Sequence, residues 1–216
     1  MTIHAQALLF DNDGTLVSSL ASVDRCWRQW AGEYGITAEE FARVELHGRT
    51  AAEIAADLLP AEVVPAAVAR IEQLEVDDVP NGGAQLLPGT KAFLDSLPAD
   101  RWAVVTSATR RLAEARLDAV GILPKTLVAA EDVTRGKPDP EPYLLAARAL
   151  GVDPAHCVVF EDAPAGLRAG RAAGMTTVAL ATTHRAHELE ADLVVDNLAA
   201  LSALVTDGGV EISGRR

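Results

Sequence analysis

Four polar clusters in this sequence stand behind short apolar runs, and their side chains complement one another. Asp11-Asn12-Asp13-Gly14-Thr15 follows the run 7–10, and Thr106-Ser107-Ala108 closes the run that begins at Trp102. Lys137-Pro138-Asp139-Pro140 lies in the loop after the run 126–129, and Glu161-Asp162 follows the run 157–160. A carboxylate nucleophile can form an acyl phosphate and so divide one difficult displacement into two easier ones. Several carboxylates gathered at one point need a hard cation such as Mg²⁺, which takes oxygen ligands and neutralises phosphate charge. A hydroxyl and an ammonium then hold the non-bridging oxygens, because positioning and electrostatics carry most of this catalysis. Asp13, two residues beyond Asp11, is placed to protonate a leaving oxygen and then to activate water. Taken together, the clusters point to phosphoryl transfer.

Each group also has an ordinary structural use. Ser107 can cap a helix beginning near Thr109, Asp162 can cap one beginning at Ala163-Pro164, and Lys137 can be a solvated lysine. Asp11-Asn12-Asp13-Gly14 can be a polar turn. It also begins like a calcium loop, which needs Asp or Asn at its fifth position, Gly at its sixth and Glu at its twelfth. Thr15, Leu16 and Ser22 stand there instead, which excludes that motif. Independent capping accounts for each site singly but not for their complementary chemistry.

The elements that position these groups read from hydrophobic pattern. The runs 7–10, 102–106, 126–129, 157–160, 176–180 and 193–195 are rich in Val, Leu and Phe without polar alternation, as in parallel strands covered on both faces. Helical stretches at 109–120, 140–151, 163–173 and 186–190 lie between the later runs, with Gly151 and Gly174 at helix ends. This predicts a doubly wound α/β domain, whose ligands bind outside the carboxyl ends of the strands. Between Phe10 and Trp102 no strand is expected. Leu20, Val23, Trp27, Trp30, Ala31 and Tyr34 share one helical face there, and Val64, Ala67, Val68, Ile71 and Leu74 share another. Residues 18–87 are therefore read as a helical domain inserted into a core formed by 1–17 and 88–216, with 207–216 fraying at the end.

Composition narrows the partners. The 216 residues carry 19 Lys and Arg against 31 Asp and Glu, a net charge of −12, and 49% of them are hydrophobic. So acidic a chain is repelled by nucleic acid and by anionic membranes. Cys26 and Cys157 have neither disulfide-framework nor metal-knuckle spacing and are expected to be small buried residues. The start lacks a basic region, and no run approaches the roughly 20 apolar residues that span a bilayer. The expectation is a cytoplasmic, monomeric protein.

In their order and residue types the four clusters resemble the signatures of the haloacid dehalogenase superfamily of aspartate-nucleophile hydrolases, and the match runs over nearly the whole chain. The resemblance implies a Rossmann-like core with an all-α cap at 18–87. It makes Asp11 the nucleophile and Asp13 the acid/base. Asp11, Asp162 and the Asp13 backbone carbonyl would bind Mg²⁺, with Glu161 near it through water. Ser107, with Thr106 as the alternative, would hold phosphate beside Ala108 and Lys137. The stretches 102–107, 136–143 and 159–166 are similar to glycerol-phosphate and deoxyhexose-phosphate phosphatases, as is His47-Gly48-Arg49-Thr50. Thr15, where β-phosphoglucomutases have Val, and Val23, where they carry a His, favour a phosphatase over a mutase. In the cap, Arg49 is expected to hold an anionic group or sugar hydroxyls and His47 to hydrogen-bond a polyol. Trp27 and Trp30 are expected to pack. A receiver-like signalling module also uses an Asp, a hydroxyl and a Lys, but is shorter and lacks an insertion. A catalytically inactive relative is disfavoured because every expected chemical group is present.

Overall fold

The computed structural model describes residues 2–44, 46 and 49–214. The chain begins with β1 (Thr2–Ala5), β2 (Ala7–Phe10) and β3 (Val17–Ser18), and then turns helical through α1 (Leu20–Glu33), α2 (Ala38–Phe41), α3 (Ala51–Leu58) and α4 (Val64–Asp78). It returns through β4 (Gln85–Leu86) and α5 (Thr90–Asp95) to β5 (Trp102–Val105), α6 (Arg110–Ala119), β6 (Leu127–Val128) and α7 (Glu141–Leu150). The remainder is β7 (Cys157–Glu161), α8 (Pro164–Ala172), β8 (Thr176–Leu180), β9 (Leu193–Val195), β10 (Leu201–Thr206) and β11 (Gly209–Gly214).

The unalternating runs make a six-stranded parallel sheet in the order β6-β5-β2-β7-β8-β9. Successive side chains point to opposite faces, and both faces are covered. Leu8, Phe10, Val104, Val158 and Phe160 pack with Phe93, Leu97 and Leu117 on one side. Ala7, Leu9, Ala103, Val105 and Val159 pack with Tyr143, Ala146 and Ala147 on the other. The register sets Phe10 beside both Val104 and Phe160, so the residues beyond these strands emerge at one level on one rim.

The residues between β3 and β4 carry an apolar cluster of their own. Trp27, Trp30, Ile54, Ala67 and Ile71 are its buried members, and the Trp30 indole N–H donates to the Ala67 carbonyl at 2.8 Å. Trp30 packs there without solvent contact, and Trp27 packs in the same cluster while also lining the cleft between the strand rim and the helical segment. Cys26 and Cys157 are buried thiols, and burial raises both, Cys157 to about 11.

Four expectations need correction. The segment expected to fray pairs instead, as β11 lies antiparallel between β1 and β10 with Val210 and Ile212 buried against the core. Alternation of Val210 and Ile212 with Glu211 and Ser213 outweighs the Gly-rich composition that suggests a loose end. The stretch 186–190 forms only a 3₁₀ turn, Ala186–Glu188. The interval between Phe10 and Trp102 holds the two-residue ribbon β3–β4, too short to leave a hydrophobic pattern. Strands β1 and β10 add to the expected set; in β1, exposed Thr2 and His4 alternate with buried Ile3 and Ala5.

Candidate active site

Asp11 is the first residue beyond β2, its N–H bonded to the Phe160 carbonyl of β7 at 3.0 Å. The chain then turns tightly, and the Asn12 carbonyl accepts from the N–H groups of Thr15, Leu16 and Val17. Gly14 makes the turn possible. Its φ is +89°, and an added Cβ would stand 2.2 Å from Asp162 Oδ2. The absence of a side chain there leaves room for the Asp162 carboxylate against the turn.

Lys137 is the hub of the site. Its Nζ donates to Asp11 Oδ1 at 2.7 Å, to Glu161 Oε1 at 2.7 Å and to the Val105 carbonyl at 2.9 Å. The lysine is 2% exposed. Burial works against its charge, but Asp11 and Glu161 outweigh burial and hold the ammonium above its ordinary pKa. The Tyr143 hydroxyl donates to Glu161 Oε1 at 2.8 Å, while the N–H groups of Asp162 and Ala163 donate to Glu161 Oε2. Glu161 is thus fixed on both oxygens and in turn fixes Lys137.

Asp162 accepts from Thr15 Oγ1 at 3.4 Å and from Thr183 Oγ1. The Thr182 hydroxyl bonds the Gly14 carbonyl, and His184 Nδ1 lies 3.1 Å from the Asp162 carbonyl. Carboxylate oxygens of Asp11, Glu161 and Asp162 all lie within 4.8 Å of one another. Burial, then the Glu161 charge, pushes Asp162 up to about 7; burial also raises Asp11 well above the carboxylate range, against the pull of Lys137. Three buried carboxylates around one ammonium, all hard oxygen donors, fit a divalent cation.

Asp13 stands apart from that cluster. Its Oδ1 accepts from Ser19 Oγ at 2.7 Å and from Arg116 Nη1 at 2.9 Å, and its Oδ2 accepts from Asn12 Nδ2 at 3.3 Å. Arg116 Nη2 continues to Glu75 Oε1 at 3.0 Å. Asp11, Asp13, Arg116, Glu75, Thr106 and Ser107 line a cleft of about 100 Å³ between the strand rim and the helical segment.

The structure brings Asp11, Lys137, Glu161 and Asp162 into contact and sets Asp13, Thr106, Ser107, Ala108 and Arg49 along the cleft. Thr106 Oγ1 accepts from the Ala108 N–H at 3.1 Å, which turns that hydroxyl onto its own loop. Arg49 pairs with the half-exposed Asp57 at 2.8 Å. His47 lies outside the described residues. The capping readings fail: Thr109 caps α6, and α8 has Ala163 at its N-cap with no side-chain bond.

Residues 5–174 match the family described as haloacid dehalogenase-like hydrolase. The chain belongs to that family. It is 38% identical to hexitol phosphatase A of Escherichia coli over 96% of this chain and 98% of that one. It is 36% identical to glycerol-1-phosphate phosphohydrolase 2 of Saccharomyces cerevisiae over 91% of this chain and 84% of the yeast protein. Among solved structures it is similar to a phosphate complex of CbbY from Rhodobacter sphaeroides, with a TM-score of 0.77 and 26% identity over 90% and 95% of the two chains.

This haloacid dehalogenase-like hydrolase also sets against the candidate site residues that the sequence reading does not single out. Thr182 and Thr183 stand just beyond the apolar run of β8, so the strand-end pattern that marks the four clusters marks them too. Arg116 and Glu75 carry no such signal. Each sits on a helix as an ordinary charged residue, and their partners are distant in sequence.

Proposed function

We propose that this phosphatase is magnesium-dependent and hydrolyses phosphate monoesters of small sugars or polyols through a phosphoaspartyl intermediate on Asp11. The observation that supports this most is the contact of buried Lys137 with both Asp11 and Glu161, beside a cleft that Asp11, Asp13 and Asp162 line together. The names of the bacterial and yeast relatives supply the substrate class. Asp11, Asp162 and the Asp13 carbonyl would hold the cation, with Glu161 beside them, and when bound it would neutralise phosphate charge.

Lys137 and Ser107 hold the non-bridging oxygens of the phosphate. An Asp11 oxygen forms a bond to phosphorus as the bond to the leaving oxygen breaks, and the Asp13 proton passes to that oxygen. Asp13, now a carboxylate, takes a proton from water as the water oxygen bonds to phosphorus and the Asp11–phosphorus bond breaks. Residues 18–87 act as a cap, with Arg49 and His47 addressing the sugar or polyol and the closed cleft excluding water. No helix among the described residues is long and apolar enough to cross a membrane. A cytoplasmic location and a monomeric state are part of the same proposal.

The test is phosphate release from a panel of small phosphoesters with Mg²⁺, with Asp11→Asn and Asp13→Asn as controls. Both substitutions are expected to abolish turnover. Near-wild-type rates in Asp11→Asn would exclude the covalent route.

A further inference from the structure

An arginine that is 2% exposed, placed between two carboxylates at the edge of a reaction cleft, calls for an explanation beyond stability. Buried ion pairs can often be replaced by apolar groups at no loss of stability, so their geometry is the more informative feature. The Arg116 fork is not laid bidentate on one partner. Nη1 goes to Asp13 and Nη2 to Glu75, and among the described residues Nε has no partner. The side chain therefore spans from α6 at the strand rim to α4 of the helical segment. A second donor obeys the same logic. Ser19 occupies the N-cap of α1, yet its hydroxyl makes no cap bond and is given to Asp13 instead. Forgoing such a cap costs about 1 kcal/mol.

We propose that Arg116, held by Glu75, is a positioning residue that aims the Asp13 carboxyl at the leaving oxygen, and that leaving-group protonation therefore requires α4 to be seated on the cleft. The inference rests on the reading of Asp13 as the acid. If α4 withdraws, Glu75 goes with it, Arg116 loses its anchor and Asp13 loses its one charged donor, keeping only Ser19 and Asn12. Arg116 moves no proton itself.

A poor leaving group needs the proton and a good one does not, so the inference predicts a tilt rather than a uniform loss. The experiment measures the pre-steady-state rate of alcohol or phenol release, with Mg²⁺, from glycerol phosphate, phenyl phosphate and p-nitrophenyl phosphate. Arg116→Met is expected to slow glycerol release by about 30-fold or more, while p-nitrophenol release changes by less than about threefold. Michaelis constants are expected to move by less than about threefold. Arg116→Lys keeps the charge but cannot span both carboxylates, and Glu75→Gln keeps an acceptor without its charge; both are expected to show the same tilt at smaller size. If Arg116→Met fails to fold, these two variants decide. Equal slowing of all three substrates, or none, overturns the inference. Asp13→Asn separates the two layers of argument: a tilt there without one in the Arg116 variants removes only the positioning role. No tilt in Asp13→Asn removes the acid assignment itself.

Discussion

Gly166→Ala puts the packing of the site to a test in which helix propensity and structure disagree about the sign. Gly166 is in the first turn of α8, and propensity alone makes alanine better in a helix by about 1 kcal/mol. In the structure an added Cβ would lie 1.7 Å from Glu161 Oε1 and 2.0 Å from its carboxyl carbon. Glu161 cannot step aside freely, since Lys137, Tyr143 and two backbone N–H groups hold it without solvent contact. Overpacking of this kind costs about 1–3 kcal/mol, and weakening charge-assisted bonds to a buried carboxylate adds about 1.5–3 kcal/mol. The expected net loss is about 2–5 kcal/mol, a fall in melting temperature of about 4–20 °C for a chain of this size. Gly32→Ala in α1, where nothing lies within 4 Å of the new Cβ, is the control and should gain up to about 1 kcal/mol. Urea unfolding of both variants and of the parent measures the difference. A Gly166→Ala protein as stable as the Gly32→Ala control would refute the close packing of Glu161 against α8.

The remaining expectations concern the acids, the cleft and the thiols. Asp162 stands at about 7 against an ordinary 3.8. Between those values the folded metal-free chain keeps a proton that the unfolded chain has released, so stability falls as pH rises through that window. Chelated protein should melt lower at about pH 8 than at about pH 5.5, and Mg²⁺ should restore most of the loss at about pH 8; a melting temperature that climbs over that interval contradicts the placement of the acids. Arg49→Ala should raise the Michaelis constant about 3–10-fold for hexitol or glycerol phosphates while leaving an aryl phosphate nearly unchanged; equal effects would make Arg49 a structural residue. Cys157, its thiol pushed up to about 11 by burial, should resist a maleimide at about pH 7 in the folded protein and react once urea unfolds it, as mass spectrometry would record.

The parallel sheet was legible because β2, β5 and β7 are covered on both faces and so lack polar alternation. Asp11, Lys137, Glu161 and Asp162 were legible because a parallel sheet delivers the ends of its strands to one rim. Pattern failed where short range ran out. The ribbon β3–β4 is too brief to alternate, and β11 alternates beneath a Gly-rich composition. Arg116 is the sharper case. It is an arginine on an amphipathic helix, 103 residues from one carboxylate partner and 41 from the other, and only the fold makes it an interior charge.

The central place of β2 also dictates the order in which the site can be assembled during synthesis. Its two sheet neighbours, β5 and β7, are both made much later, so the segment 7–10 leaves the ribosome as an apolar strand with no partner. The helical segment comes next and draws its apolar cluster from residues 23–74 alone, so it can collapse while β2 still waits. At about 5–20 residues per second, Glu161 emerges roughly 8–30 seconds after Asp11, and until then Asp11 lacks the Glu161–Asp162 pair that completes the buried cluster. The final strand, β11, then pairs with β1, so the last part of the sheet system to be made clasps the first. Long-range pairing of this kind slows folding, and a chain arrested before β7 would leave one edge of β2 unpaired and Asp11 without Glu161 and Asp162.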